Sequence, residues 1–282
     1  MVRIFPIIFI LLWSSAFITT KPIIDNSDPF AALGFRFFCV AVGFYLFSIY
    51  LKQSIFVKKK NLIESVLSGV LFHGFYLGGV FYSISIGMPT GIAALIVTLQ
   101  PVLTNVLSGP ILNEKVTSKQ WIGALLGFVG AFMVLGLDVG SSIPLLGLIA
   151  TIIALLSITI STIWQKKLSN NLPLSVSNFY QAIGGCFFHV LVVIFFAKPY
   201  ISFTKTFFLA MGHQIFLVSF GAFTILMFLI KKNSASKTVS IFFLIPATSA
   251  LMAWFFLKES LTAIDLLGFL ITSIGVYIAT RD

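Results

Sequence analysis

Polar side chains are rare in this sequence outside its loops, and the few that interrupt its apolar runs are where chemistry could be done. His73 and Tyr76 fall near the middle of the run 62–86. On a helical wheel Ser65, Gly69, His73, Tyr76, Gly79 and Ser83 share one face of roughly 120°, with Val66, Val70 and Leu77 opposite. Asn178, Gln181, Gly185 and His189 form a second stripe, and Gln100, Thr104 and Ser108 a third beside Pro101. Polar groups inside a spanning helix are costly and turn toward the bundle interior or water. This predicts that His73, Tyr76, Gln100 and Gln181 line an internal pathway, whereas Thr104 and Ser108 suit hydrogen bonds between helices, and Gly69, Gly74 and Gly78 suit close packing. Trp13 can add an aromatic wall. Arg36 is the one charge well inside an apolar run, about 9 Å from its end by helical rise. It can meet a substrate carboxylate or snorkel outward. Trp121, His213 and Gln214 read as interface chemistry near span ends.

What is missing narrows the function. All eight carboxylates (Asp25, Asp28, Glu64, Glu114, Asp138, Glu259, Asp265 and Asp282) lie at ends of apolar runs or between them. No buried acid is therefore expected to neutralise a cationic substrate or carry a coupling proton. The sequence has no phosphate-cradling Gly-Lys-Ser loop, so no ATP-driven pump is expected, and no His/Cys cluster at zinc-ligand spacing. Neither a cofactor nor a metal is expected, and the absence of grouped catalytic residues speaks against an enzyme. Sodium or carboxylate-based proton coupling has no seat, which leaves His73 and His189 as the mid-membrane titratable groups and favours facilitated diffusion or exchange with little proton coupling.

The elements that must position these residues follow from composition. The chain has 282 residues, 59% of them hydrophobic and only 9% charged, with mean hydropathy +1.08. A soluble domain keeps roughly a quarter of its residues charged. This chain cannot cover an aqueous surface, so lipid is its solvent and all-α is its expected class. Ten spans are expected: 4–22, 30–51, 62–86, 90–111, 119–137, 144–164, 174–197, 207–230, 236–257 and 263–280. Arg3 and the apolar run after it, with no small-residue cleavage site, read as a retained first helix. The net charge of +10 is no sign of nucleic acid, because the lysines cluster between spans: Lys58–Lys60, Lys166–Lys167 and Lys231–Lys232. With ten spans, thirteen Lys and Arg fall on the side of the termini and four on the other, so both termini are expected in the cytoplasm. Cys39 and Cys186 both lie in apolar runs and imply no disulfide framework.

The chain also repeats. Moved by 145 positions without a gap, Leu99 meets Leu244, Pro101 meets Pro246, Glu114 meets Glu259, Thr117 meets Thr262, Gly123 meets Gly268 and Gly130 meets Gly275. Two units of five spans follow, 1–140 and 141–282. An odd span number makes the second enter the membrane from the other side, giving an inverted repeat with a site between the halves. Pro101 and Pro246, at matched positions, are expected hinges. Glu114 then closes the fourth span at the cytoplasm and Glu259 the ninth at the outer face.

The stretch Gly87–Leu135, with ALIVTLQP, LNEKVT and the glycines after it, resembles an EamA-type domain of the drug/metabolite transporter superfamily. FLIP, LKESLT and LLGFLITSIGVYIA form a looser second copy, and LLWSSAF and LGFRFF fit the first two spans. The resemblance implies a ten-helix inner-membrane carrier of two inverted repeats that exports small metabolites, often amino acids. It also implies a cavity lined by the first, third, fourth, sixth, eighth and ninth spans, which favours His73, Tyr76 and Gln100 over the seventh-span stripe. The expected partners are a small-molecule substrate and the bilayer, with a homodimer left open. A multidrug or cation exporter and a polytopic membrane enzyme remain as alternatives.

Overall fold

The structure, a computed structural model, describes residues 4–135, 143–168, 171–196, 199–257 and 262–281. Among them, ten helices are long and apolar enough to cross a membrane: α1 (Phe5–Ile24), α2 (Pro29–Tyr50), α3 (Lys59–Ser85), α4 (Gly91–Leu112), α5 (Ser118–Leu135), α6 (Leu145–Leu168), α7 (Leu174–Phe196), α8 (Lys205–Lys232), α9 (Ala235–Phe256) and α10 (Ala263–Thr280). These are the ten spans expected, every described end falling within three residues of its expected place except one. Helix α6 continues through Trp164 to Leu168 because Lys166 turns back, its ammonium donating to the carbonyls of Ile230 (2.9 Å) and Asn233 at the end of α8. Capping residues fix several starts. Asp28 accepts the Ala31 N–H at 2.8 Å, Thr204 accepts the Phe207 N–H at 3.1 Å, and Thr262 and Asp265 form a reciprocal capping box.

Packing follows a pattern. Helix α5 lies along α10 and α2 along α7; α1 contacts α8 and α9, while α6 contacts α3 and α4. Exchanging every helix for the one five places away leaves this scheme unchanged. The α5–α10 crossing carries the same relation to the residue. Gly123 abuts the Gly275 backbone and Gly130 abuts the Gly268 backbone, and a shift of 145 turns each of these pairs into the other. Small residues let the two backbones meet without intervening side chains, as lipid-embedded helices require when no hydrophobic drive brings them together.

Among the described residues four helices depart from regular α geometry at matched places, and α9 has a further π turn over Ala253–Leu257 with no counterpart in α4. Helix α3 widens into a π turn over Val70–Tyr76, and α8 does so over Gln214–Ala222. Helix α4 breaks at Thr98–Leu99 before Pro101, and α9 tightens over Ser240–Phe243 before Pro246. Each proline thus sits just past a discontinuity, where the ladder has already been interrupted. Glu259, expected to close α9, lies outside the described residues.

The glycine crossing gives a stability test. A Cβ on Gly130 would stand 2.2 Å from the Thr272 hydroxyl and 2.5 Å from the Gly268 carbonyl oxygen, whereas one on Gly212 meets nothing within 4 Å. Gly130→Val should destabilise the protein by about 3 kcal/mol, the upper end for overpacking, because backbone has to move. Gly212→Ala should leave the detergent melting curve unchanged. Equal melting of the two variants would show that the crossing is not close-packed.

Candidate functional site

A cavity of about 640 Å³ runs from Lys21, Asp25 and Ser85, where α1 and α3 end, down to Arg36, His73 and Tyr76. A second chamber of about 360 Å³ lies beside it, between α1, α3, α4, α9 and the end of α5. The two share Trp13, Phe17, Ile18, Tyr76, Val80 and Ile84 as a common wall.

Helix α3 supplies the centre of the first chamber. Inside its π turn the Leu77 N–H bonds the Phe72 carbonyl, five residues back, and passes over that of His73. The His73 carbonyl instead accepts a hydrogen bond from His189 Nε2 on α7, at 2.9 Å. The His73 ring packs against Phe37 (centroids 4.4 Å apart) and edge-on to Phe223 (4.6 Å), and its Nδ1 has no partner. One turn along, Tyr76 lies edge-on to Phe72 at 5.4 Å, and Phe72 lies edge-on to Trp13 at 6.1 Å. The structure thus brings His73 and Tyr76 of α3 and Trp13 of α1 together at the chamber. Extended π turns of this kind concentrate at functional sites.

Arg36 departs from the snorkelling alternative. It is only 4% exposed, and its Nε donates to the Ser219 hydroxyl at 3.0 Å, in the π turn of α8. Its guanidinium carbon sits 5.4 Å from the centre of the Phe37 ring. A hydroxyl acceptor and a polar chamber lie within reach inside the bundle, so the side chain turns inward. Among the described residues no carboxylate pairs with it. Gln214 is a second correction. Read as interface chemistry, it is in fact buried and lines the chamber; its Nε2 donates to the Ala16 carbonyl and the Thr19 hydroxyl, both at 2.9 Å, and its Oε1 has no partner. His213 beside it is half-buried between Ser15 and Thr19. Gln214 and Ser219 are five residues apart, the spacing a π turn brings to one face, and that periodicity is the signal that could have found them.

Two expected residues are placed elsewhere. Gln100 donates through Nε2 to the Thr162 hydroxyl at 3.0 Å, tying α4 to α6, and lines neither chamber. Gln181 accepts from Gln165 Nε2 at 3.0 Å and donates to the Ser177 hydroxyl at 3.1 Å, so its amide is occupied between α6 and α7. Pro246 lines the second chamber, and Pro101 is buried outside both.

The opposite end is closed. Phe9 packs on Trp13 and on Phe242, each at 5.2 Å between centroids, and forms a floor beneath the chambers. Below it both Glu114 carboxylate oxygens accept the Ala235 N–H (3.1 and 3.0 Å), holding the end of α4 to the start of α9. Ser236 donates to Asn105 in the same seam.

Comparison with known proteins agrees with this geometry. The family model described as the EamA-like transporter family matches residues 3–136 and again residues 145–281. An uncharacterized transporter of Bacillus subtilis (strain 168), YvbV, is 27% identical, over 93% of this chain and 86% of its own length. A protein of Escherichia coli (strain K12) described as a "probable amino-acid metabolite efflux pump" is 22% identical over 96% of this chain and 92% of its own. A solved crystal structure superposes with a TM-score of 0.83 at 18% identity, covering 99% of this chain and 96% of the other, which establishes a shared fold.

One-sided closure is directly testable. With Cys39 and Cys186 replaced by serine, Tyr76→Cys should react with a small charged thiol reagent at least tenfold faster from the side where α1 ends than from the side where it begins. Equal rates from both sides would show that the aromatic floor and the Glu114 seam do not close the cavity.

Proposed function

Since the chain belongs to the EamA-like transporter family, we propose that it exports small metabolites, amino acids or related zwitterionic or anionic compounds, by alternating access. The observation that carries this reading is a chamber reaching from one end of α1 and α3 to Arg36, His73 and Tyr76, with its other end sealed by rings and by Glu114. A half-open pathway is one state of a carrier, and the repeat supplies the other by exchanging the roles of its halves. On this reading the halves are 1–140 and 141–282, Pro101 and Pro246 act as hinges, and His73, Tyr76, Trp13 and Arg36 contact substrate. With both termini in the cytoplasm, as the lysine distribution favours, the chamber faces outward. The name of the Escherichia coli relative supports amino-acid-like cargo. Family and relatives point to transport, not catalysis. Export of lipophilic cations is the second reading; it has to contend with a chamber whose deep charge is positive.

Counterflow in proteoliposomes tests the proposal. Labelled amino acids should exchange across the membrane with no chemical change, and His73→Ala should slow exchange about tenfold with the protein still folded and reconstituted. An imposed pH gradient should drive little accumulation. Turnover of a compound without flux would replace the carrier by an enzyme, and selective tolerance of overexpressing cells to quaternary ammonium dyes would replace the cargo.

A further inference from the structure

The two chambers differ in what they leave unanswered. At the bottom of the first, Arg36 is buried with one N–H on Ser219 and no carboxylate opposite it among the described residues. A guanidinium withdrawn from water calls for an anion, and its planar fork matches a single carboxylate through two parallel hydrogen bonds. The other basic side chain lining this chamber is Lys21, at the mouth with Asp25, so a doubly charged phosphate would be answered by one deep cation only. Asp25 is likewise the sole acid among the lining residues of either chamber, and it stands beside Lys21. An ammonium held next to Arg36 would therefore find no counter-charge there. Gln214 Oε1 and His73 Nδ1 are unpartnered but neutral, so neither supplies a counter-charge to such an ammonium.

The second chamber is apolar in a stricter sense than its lining suggests. Two of its three hydroxyl-bearing residues already donate to backbone, Thr98 to the Ala94 carbonyl at 2.7 Å and Ser249 to the Ser14 carbonyl at 3.2 Å, and the third is Tyr76 on the boundary with the first chamber. Ala93, Ala94, Val97, Ile245 and Ala250 make up much of the remainder. Trp13 and Tyr76 face both chambers, so a molecule with its head on Arg36 can lay its body past these rings into the apolar space.

We infer that the site recognises a monocarboxylate with a bulky apolar body, carboxylate on Arg36 and body in the second chamber, and that an α-ammonium is not part of what it reads. The inference rests on the chambers being the substrate pathway and narrows the cargo within it. Amino, hydroxy and oxo acids with one side chain then compete for one site.

The test uses purified full-length protein in lipid nanodiscs, with 3-phenyllactate, phenylalanine, phenethylamine and lactate as probes, and reads affinity from ligand-induced thermal stabilisation. Phenyllactate should bind at least as tightly as phenylalanine, and at least tenfold tighter than phenethylamine, which lacks the carboxylate, or lactate, which lacks the ring. Arg36→Gln should weaken phenyllactate at least tenfold. Ala94→Trp, which fills the second chamber, should reduce the preference for phenyllactate over lactate at least tenfold. Phenethylamine binding as well as phenyllactate, phenylalanine binding more than tenfold tighter than phenyllactate, or no carboxylate binding at all would each overturn the inference. Should Arg36→Gln fail to fold, the four probes on the native protein still decide. Counterflow of the same probes separates the two readings. Phenyllactate binding without flux would remove the transport reading and keep the receptor, whereas flux of phenethylamine alone would do the reverse.

Discussion

A backbone carbonyl inside a bilayer must be given a donor by the protein itself, and this constraint governs every irregular feature of the molecule. The π turn of α3 is tolerated because His189 reaches across from α7 to the carbonyl that the helical ladder passes over. The broken stretch of α4 holds because Thr98 bonds back to Ala94, and in α9 the Ile245 carbonyl accepts the Ser14 hydroxyl of α1 at 3.3 Å. The π turn of α3 and the irregular part of α9 thus each recruit a polar residue from a neighbouring helix and fix where that neighbour lies, whereas Thr98 answers from within α4 itself. His189, read from its stripe as part of a pathway-facing pattern, is such a support; it holds His73 in place from behind the chamber.

The backbone is far more symmetric than the chemistry laid over it. Matched helices carry matched π turns, matched breaks and a self-complementary glycine crossing. The side chains at corresponding positions have diverged: His73 is answered by Val218, Gln100 by Ile245 and Arg36 by Gln181. A duplicated frame can adopt two related shapes of similar energy, while one set of polar residues suffices for recognition. The deep positive charge accordingly comes from one half alone.

Most of the helices and the His73–Tyr76 face were legible because apolar run length and a polar stripe are strong signals in so apolar a chain. The pairing of Pro101 with Pro246 was legible because proline is conspicuous in a span. Arg36 was ambiguous for a physical reason: its distance from the span end permits both outward and inward rotamers, and the choice is made by Ser219, 183 positions away. Gln214 and Ser219 escaped notice because a wheel drawn at 3.6 residues per turn scatters positions that a wider turn gathers. Gln100 and Gln181 have the burial expected of pathway residues, but a buried amide can instead bond between helices, as Gln100 Nε2 does to Thr162 and Gln181 to Gln165, and sequence does not distinguish the two fates.

Helix length adds a last consequence. Helix α10 has 18 residues, whereas α3 and α8 have 27 and 28. At the helical rise these are about 27 Å against about 40 Å, around a hydrocarbon layer of roughly 30 Å. Helix α10 just spans that layer, and the long pair must lean or extend its lysine ends into the headgroups. A thicker membrane lets α3 and α8 straighten and a thinner one tips them further, while the glycine-locked pair has little freedom to follow. Since α3 and α8 also bear the π turns and the Arg36 partner, hydrocarbon thickness becomes a mechanical load on the chamber walls, applied by the lipid itself.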